Sequence, residues 1–147
     1  METNRATEQM ANGLVCAESV LLATCEELSI EIAEDITPKI AFAFAGGIGN
    51  TGSVCGAVVG AVMAIGLIRD RGKTTEEMFE VMGLAAEFRK RFEAKMGTIS
   101  CRELTGLDLT QVEGQKELSN SDVAEKVCFP AVAAAFRIVV DLLGASA

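Results

Sequence analysis

Five cysteines are the residues of this chain whose chemistry stands out. They are Cys16, Cys25, Cys55, Cys101 and Cys128, in a sequence of 147 residues that contains no histidine. Without histidine the chain cannot form a Ser-His-Asp or Cys-His catalytic couple, and it cannot bind a metal ion or haem through an imidazole. Thiolates are therefore the candidates for both nucleophiles and metal ligands.

Most of these cysteines lie close to predicted helix beginnings. Cys55 follows Ser53, Cys101 follows the predicted cap Ser100, and Cys128 comes two residues before a proline. Unpaired N–H groups and the helix dipole stabilise a thiolate at such a position, which lowers the pKa of the thiol. We expect Cys16 to make a fourth such site.

Cys55 is the thiol for which we predict the strongest activation. Ser53 or the backbone near Gly52 can end the preceding loop, so that the Cys55 amide is one of the unpaired donors at the helix start. Gly56 removes side-chain bulk beside the sulfur. Cys25 differs, because it lies at helical spacing on an apolar face, and we expect it in the core.

Four converging thiolates would repel one another, so convergence requires an iron-sulfur cluster, a zinc ion or pairing as disulfides. The chain has no Cys-x-x-Cys, which argues against zinc ribbons, rubredoxin-like iron and thioredoxin-type dithiols. Neither ferredoxin spacing is present. A site built from separate helices remains, and it predicts that the four sulfurs cluster while Cys25 lies apart.

The elements that must position these thiols are predicted to be helices only. Apolar residues at three- and four-residue steps, together with capping signals, indicate helical segments at residues 14–32, from Thr37 to Gly46, at 54–68, from Thr74 to Gly97, from Ser100 to Gly106 and from Pro130 to Leu143. Small residues on successive turns of the segment 54–68 predict that it is the central, buried helix, and helical spacing predicts that Met82 faces inward with Phe88 and Phe92. The sequence therefore predicts one all-α domain over residues 1–147, a compact bundle of about five to six helices. Residues 107–121 are predicted to form an irregular surface loop.

A glycine-rich segment, Gly47 to Gly52, matches the pattern G-x-G-x-x-G of dinucleotide-binding loops, with Asp70 about twenty residues further on. That function needs a parallel sheet behind the loop, and the chain offers no β-α-β units. We therefore interpret the segment as a helix-to-helix loop that lies beside the cysteine site. Nucleotide binding or a purely interaction role remains an alternative.

The net charge and the hydropathy pattern indicate which classes of partner and which location to expect. The chain has 21 acidic and 13 basic side chains, a net charge of -8, which argues against nucleic-acid binding. The uncharged stretch from Ile40 to Ile68 contains a polar glycine-rich turn, so no membrane span is expected. The N-terminal segment from Met1 to Gln9 lacks the features of a signal peptide, which favours a cytoplasmic location.

Several blocks of the sequence, in order, resemble the C_GCAxxG_C_C family of small four-cysteine redox-active proteins. Cys16 to Leu21 is similar to its first block, and Gly46 to Gly49 followed by Cys55 to Gly60 is similar to its signature. Cys101 to Leu104 and Cys128 are similar to the third and fourth blocks. The resemblance covers roughly residues 10 to 143, and it implies an all-helical protein with redox activity.

Some relatives in this family resemble the cluster-carrying part of haem electron-transfer proteins, which favours an iron-sulfur cluster. We therefore predict that Cys16, Cys55, Cys101 and Cys128 bind such a cluster, with [2Fe-2S] favoured and zinc or no metal as alternatives. The role is electron transfer or redox sensing with a partner protein that the sequence does not name, as a carrier rather than a stand-alone catalyst. A metal-free thiol-disulfide protein is the alternative, and a homodimer is compatible with the sequence.

Overall fold

The computed structural model describes residues 2–33 and 35–145, and over these residues the chain is helical with no β-strand. The all-α class is confirmed, although the described residues form more helices than predicted. The α-helices are α1 (Arg5–Ala11), α2 (Cys16–Glu27), α3 (Ile36–Ala41), α4 (Gly56–Arg69), α5 (Thr75–Met96), α6 (Cys101–Thr105), α7 (Val112–Asn120) and α8 (Phe129–Ala145).

Helix α4 is the centre of the fold. It packs against α2, α8 and α5, and its Ala57, Ala61 and Ala64 are fully buried. Small residues permit this close packing, since a Cβ atom added at Gly60 would lie only 2.5 Å from the carbonyl oxygen of Ala17 on α2. The prediction of a central helix with a small-residue surface is confirmed.

Helix α5 begins and ends where its sequence signals predict. The Thr74 hydroxyl accepts a hydrogen bond from the Glu77 backbone N–H, in a capping box, and Gly97 with a φ of 92° ends the helix. Phe88 and Phe92 are fully buried. The inward position predicted for Met82 is wrong, because this side chain is 61% exposed.

Helix α8 carries Pro130 in its first turn, as predicted, but no loop precedes the helix. A π-helical turn, Ala124–Cys128, runs directly into it, and the Phe129 N–H donates to the Ala124 carbonyl five residues back. Pro130 has no N–H to donate and its ring would collide with the carbonyl four residues earlier, which the wider π turn avoids. Cys128 is therefore inside a continuous helix and not at a helix N-terminus.

The same composite helix is long and apolar enough, from Ala124 to Gly144, to cross a membrane by length and composition. Half of its apolar window is buried inside the fold. The buried residues include Val132, Ala135 and Val139, each with 0% exposure. This packing against α2, α4 and α5 is that of a core helix.

Two helices were not predicted. Helix α1 is short and polar, and it is capped by Asn4, whose side chain accepts from the Ala6 and Thr7 N–H groups. Helix α7 lies in the segment 107–121, so the prediction of an irregular loop there is wrong, although most of this segment is exposed. Local polar contacts hold it, since the Gln115 amide donates to the Leu109 carbonyl at 2.8 Å.

The glycine-rich segment connects α3 to α4. Helix α3 begins one residue before Thr37, with Asp35 as its N-cap, and continues as a 3-10 turn, Phe42–Phe44. Residues 46–50 then all have positive φ angles between 60° and 73°, which only glycine adopts at little cost. The segment is a helix-to-helix loop, as predicted, and the described residues place no sheet behind it.

Candidate functional site

Each of four cysteines is placed by a different helix end or turn. Cys16 is the first residue of α2, Cys55 is the N-cap of α4, Cys101 is the first residue of α6, and Cys128 is the last residue of the π turn. All four line one cavity with a volume of about 300 Å³. The fold therefore places the four predicted site cysteines around one space.

Backbone hydrogen bonds between the glycine-rich loop and the start of α6 fix two of these cysteines. The Cys55 N–H donates to the Ile99 carbonyl at 2.7 Å, and the Cys101 N–H donates to the Ser53 carbonyl at 2.7 Å. The residues between them, Val54 and Ser100, form an antiparallel bridge. The Cys55 amide is thus paired, and the prediction that it is an unpaired donor is wrong.

Two glycines allow the close approach of these segments. A Cβ atom added at Gly47, whose φ is 73°, would lie 2.8 Å from the Cys101 Cβ, and one added at Gly56 would lie 2.2 Å from the Cys16 sulfur. Both distances are shorter than side-chain carbons tolerate. Gly46 and Asn50 of the same loop line the cavity, which confirms the prediction that the loop lies beside the cysteines.

The rest of the cavity wall is largely apolar. Leu14, Leu104, Leu109, Leu118 and Phe129 contribute to it, and none of the lining residues carries a charge. A low-polarity wall strengthens electrostatic interactions inside the cavity and limits contact with water. Sequence reasoning did not identify this wall, because Leu118 belongs to the segment that was predicted to be a loop.

Burial dominates the ionisation of the cavity thiols. It raises the pKa of Cys55 to about 12, with a further contribution from the nearby Cys16 and Cys101. Burial followed by the charges of Cys16 and Cys101 likewise raises the pKa of Cys128 to about 12. The prediction that a helix start lowers the pKa of Cys55 is therefore wrong, although the N–H groups of Ala57 and Val58 do act in that direction.

Burial, followed by the charge of Cys16, also raises the pKa of the Cys101 thiol, to about 11. Because the charge of Cys16 acts on Cys55, Cys101 and Cys128 alike, the four sulfurs form one electrostatically coupled group. Like charges this close oppose one another. A cofactor with positive charge, or protons, must therefore accompany the thiols in this cavity.

The sulfur of Cys16 has the largest set of backbone donors. The backbone N–H groups of Cys16, Ala17, Gly46 and Gly56 lower the pKa of this thiol, although burial is the larger effect and the net pKa is raised. These donors come from α2, from the glycine-rich loop and from α4. Three separate segments therefore meet at this one sulfur.

Cys25 lies in a different environment. It is 1% exposed and packs in a second core cluster with Leu21, Ala41 and Ala64. Burial, and then the charge of Glu26, raise the pKa of its thiol. The prediction that Cys25 is a core residue apart from the other four is confirmed.

All five cysteines are free thiols. Within residues 2–33 and 35–145, no three Cys, Asp or Glu side chains are close enough to hold one metal ion. The four cysteines thus line one cavity without forming a preassembled metal site in the described residues. This arrangement can contact a group that fills the cavity, or it can exchange electrons between neighbouring thiols.

Comparisons with known proteins agree with the cysteine pattern. The family described as "Putative redox-active protein (C_GCAxxG_C_C)" matches residues 14–142, a segment that includes all four cavity cysteines. A protein of Archaeoglobus fulgidus, named "Uncharacterized protein", is 32% identical over 122 residues, which cover 77% of this chain and 80% of the relative. No solved structure matches the chain.

Proposed function

Because this chain belongs to the C_GCAxxG_C_C family, we propose that it is a redox carrier in which Cys16, Cys55, Cys101 and Cys128 bind an iron-sulfur cluster. The [2Fe-2S] type is favoured, and the role is electron transfer or redox sensing. One observation carries the proposal: four thiols from four separate segments line a single cavity whose remaining wall is largely apolar and uncharged.

The donor set fits such a cluster. Iron-sulfur clusters are held by cysteine thiolates, most often four of them, and here the cavity offers four thiols and no charged side chain. When bound, the cluster supplies one-electron redox chemistry. The cavity residues would hold it, exclude water through the leucine wall, and donate backbone N–H groups toward the Cys16 sulfur.

The donor set alone does not separate a cluster from a single zinc ion, since cysteine thiolates hold both. No three Cys, Asp or Glu side chains of the described residues are placed to hold one metal ion, so either group would require side-chain movement on loading. The metal content of the purified chain distinguishes the two.

Raised thiol pKa values set a condition for loading. Near neutral pH the thiols of Cys55, Cys101 and Cys128 hold their protons, so binding of iron must release them. The bound cation then provides the positive charge that four neighbouring thiolates require. We expect loading to become easier as the pH rises toward the pKa values of these thiols.

A metal-free thiol-disulfide protein is the second candidate. It is supported by the four free thiols that line one cavity and by the effect of Cys16 on the pKa values of the other three. In that case two of the cavity thiols form a disulfide on oxidation. In both versions a second redox protein, here proposed to act with this chain in the cytoplasm, supplies or accepts electrons.

Anaerobic purification of the full chain tests the proposal. The chain contains no Trp and no Tyr, so visible and near-ultraviolet absorption of a cluster would dominate its spectrum. We expect about two irons and two acid-labile sulfides per chain, and a paramagnetic resonance signal after one-electron reduction. Colourless protein that contains zinc, or that contains no metal and forms a disulfide between cavity cysteines, would contradict the cluster.

A further inference from the structure

Gly56 occupies a position where no other residue fits beside the Cys16 sulfur. It is the first residue of α4, and an added Cβ atom would lie 2.2 Å from the Cys16 sulfur, 3.4 Å from the Cys16 Cβ and 3.2 Å from the Ala17 nitrogen. Only the first distance is a severe overlap. The main conflict is therefore with the end of one side chain, whereas the Ala17 nitrogen of α2 has to move by only a few tenths of an ångström.

The sulfur in that position is surrounded by backbone donors. The N–H groups of Cys16 and Ala17 come from the first turn of α2, that of Gly46 from the loop, and that of Gly56 from the first turn of α4. We refer to these four N–H groups as the amide cradle. Since they belong to three segments, the cradle exists only while the sulfur and the three backbones approach closely.

We propose that Gly56 is a positioning residue for the cofactor site, because its missing side chain leaves the space that the Cys16 sulfur occupies at the wall of the cavity. This inference rests on the proposed function for the identity of the cofactor. The position of the sulfur is a separate statement about the protein and can be tested without any metal.

Comparison with the other glycines of α4 distinguishes a role in positioning the Cys16 sulfur from a role in helix packing. At Gly60 an added Cβ would lie 2.5 Å from the carbonyl oxygen of Ala17, a backbone atom that cannot rotate away, whereas at Gly66 it would meet nothing within 4 Å. At Gly56 the sulfur can leave by rotation of the Cys16 side chain. Gly56→Ala should therefore displace the sulfur and leave the helices packed, and Gly66→Ala is the matched control.

The first experiment measures cluster content. The wild type, Gly56→Ala and Gly66→Ala are purified anaerobically as full chains, and iron, sulfide and the paramagnetic resonance spectrum are compared. We expect Gly66→Ala to match the wild type, and Gly56→Ala to lose affinity for the cluster by about 10- to 100-fold, as when the support of a metal ligand is removed. Equal cluster content and an identical spectrum in the two variants would overturn the proposal.

The second experiment uses metal-free, reduced protein and amide NMR. If the Cys16 sulfur sits in the cradle, the Ala17 and Gly46 amide resonances should shift in both Cys16→Ala and Gly56→Ala and stay unchanged in Gly66→Ala. Unchanged Gly46 resonances in the first two variants would overturn the positioning role. Should even the wild type contain no iron, the proposed function fails, while this experiment still decides whether Gly56 positions the sulfur.

A double variant covers the case in which Gly56→Ala does not fold. Cys16→Ala removes the sulfur that the new methyl group would meet, so Cys16→Ala/Gly56→Ala should fold with helical circular dichroism close to that of the wild type. Rescue of folding supports the contact between Gly56 and the sulfur. A double variant that stays unfolded would show that Gly56 is needed for another reason, and the proposal would be wrong.

Discussion

Cys16 and Cys25 lie on the same helix, and they show how differently one element can use two thiols. Nine residues at about 100° each place them on roughly opposite sides of α2. Cys25 packs among apolar side chains, whereas Cys16 lines the cavity with three other cysteines. Burial raises the pKa of both, so burial does not distinguish a functional thiol here. What distinguishes it is the presence of other thiols across a shared space.

The largest expected effect is the difference between removing a thiol from the cavity and removing the thiol of Cys25 from the core. Cys55→Ser should abolish cluster retention, because a hydroxyl is a poor replacement for a thiolate ligand on iron. Cys25→Ser should retain it. Iron, sulfide and visible absorption after anaerobic purification measure the difference. A Cys55→Ser protein with wild-type metal content and spectrum would remove the basis for separating the two environments.

Gly60→Ala should affect both regions together. The added methyl would meet the Ala17 carbonyl oxygen at 2.5 Å, and Ala17 belongs to the core cluster of Cys25 and follows the cavity residue Cys16 in the chain. Helices α2 and α4 must then separate, which costs about 2 to 3 kcal/mol, as overpacking does. Urea unfolding of the metal-free protein measures this loss. Gly66→Ala should instead gain about 0.5 to 1 kcal/mol from helix propensity, and an equal result for both variants would contradict the packing argument.

Local signals in the sequence predicted the elements on both sides of this comparison. Small residues predicted the burial of α4, the capping box at Thr74 predicted the start of α5, and helical spacing placed Cys25 in the core. Each of these is a property of a few neighbouring residues. The fold class and the separation of Cys25 from the other cysteines could therefore be predicted before any tertiary contact was known.

Properties that depend on tertiary contact could not be read in the same way. A helix start favours a thiolate, but the cavity around Cys55 outweighs that effect and raises its pKa to about 12. Pro130 signalled a helix beginning, yet the chain continues through it by widening into a π turn that carries Cys128. Helix α7 has few apolar residues, and contacts with the segment before it hold it in place.

The pH dependence of stability should also separate the two environments in the reduced, metal-free protein. Burial raises the pKa of the Cys55 thiol in the fold to about 12, whereas in the unfolded chain the pKa is about 8.5, the ordinary thiol value. Between these two pKa values, unfolding releases a proton. The free energy of unfolding therefore falls as the pH rises from the pKa of the unfolded chain to that of the fold.

Cys55→Ser should reduce the fall of the unfolding free energy with pH by up to about 1.4 kcal/mol per pH unit. Cys25→Ser should flatten it less, because the pKa of Cys25 is raised by burial and Glu26 without neighbouring thiols. Urea unfolding at a series of alkaline pH values gives the slope of the unfolding free energy against pH for both variants. The slopes are compared, and not the free energies at one pH, because the serine substitution itself changes stability. Identical slopes in the two variants would contradict the difference between the environments.

The smallest expected effect compares two helix caps, one beside the cavity and one remote from its lining. Ser100 caps α6 by accepting from the Glu103 N–H at 3.2 Å, and its hydroxyl also donates to the Gly52 carbonyl of the loop at 3.3 Å. Thr74 caps α5 by accepting from the Glu77 N–H at 3.1 Å.

Loss of either cap in Ser100→Ala or Thr74→Ala should cost about 1 kcal/mol of stability. Only Ser100→Ala also loosens the contact that holds Cys55 and Cys101 together, so it alone should release iron faster to a chelator. Equal release from both variants would mean that the loop holds its cysteines without this hydroxyl.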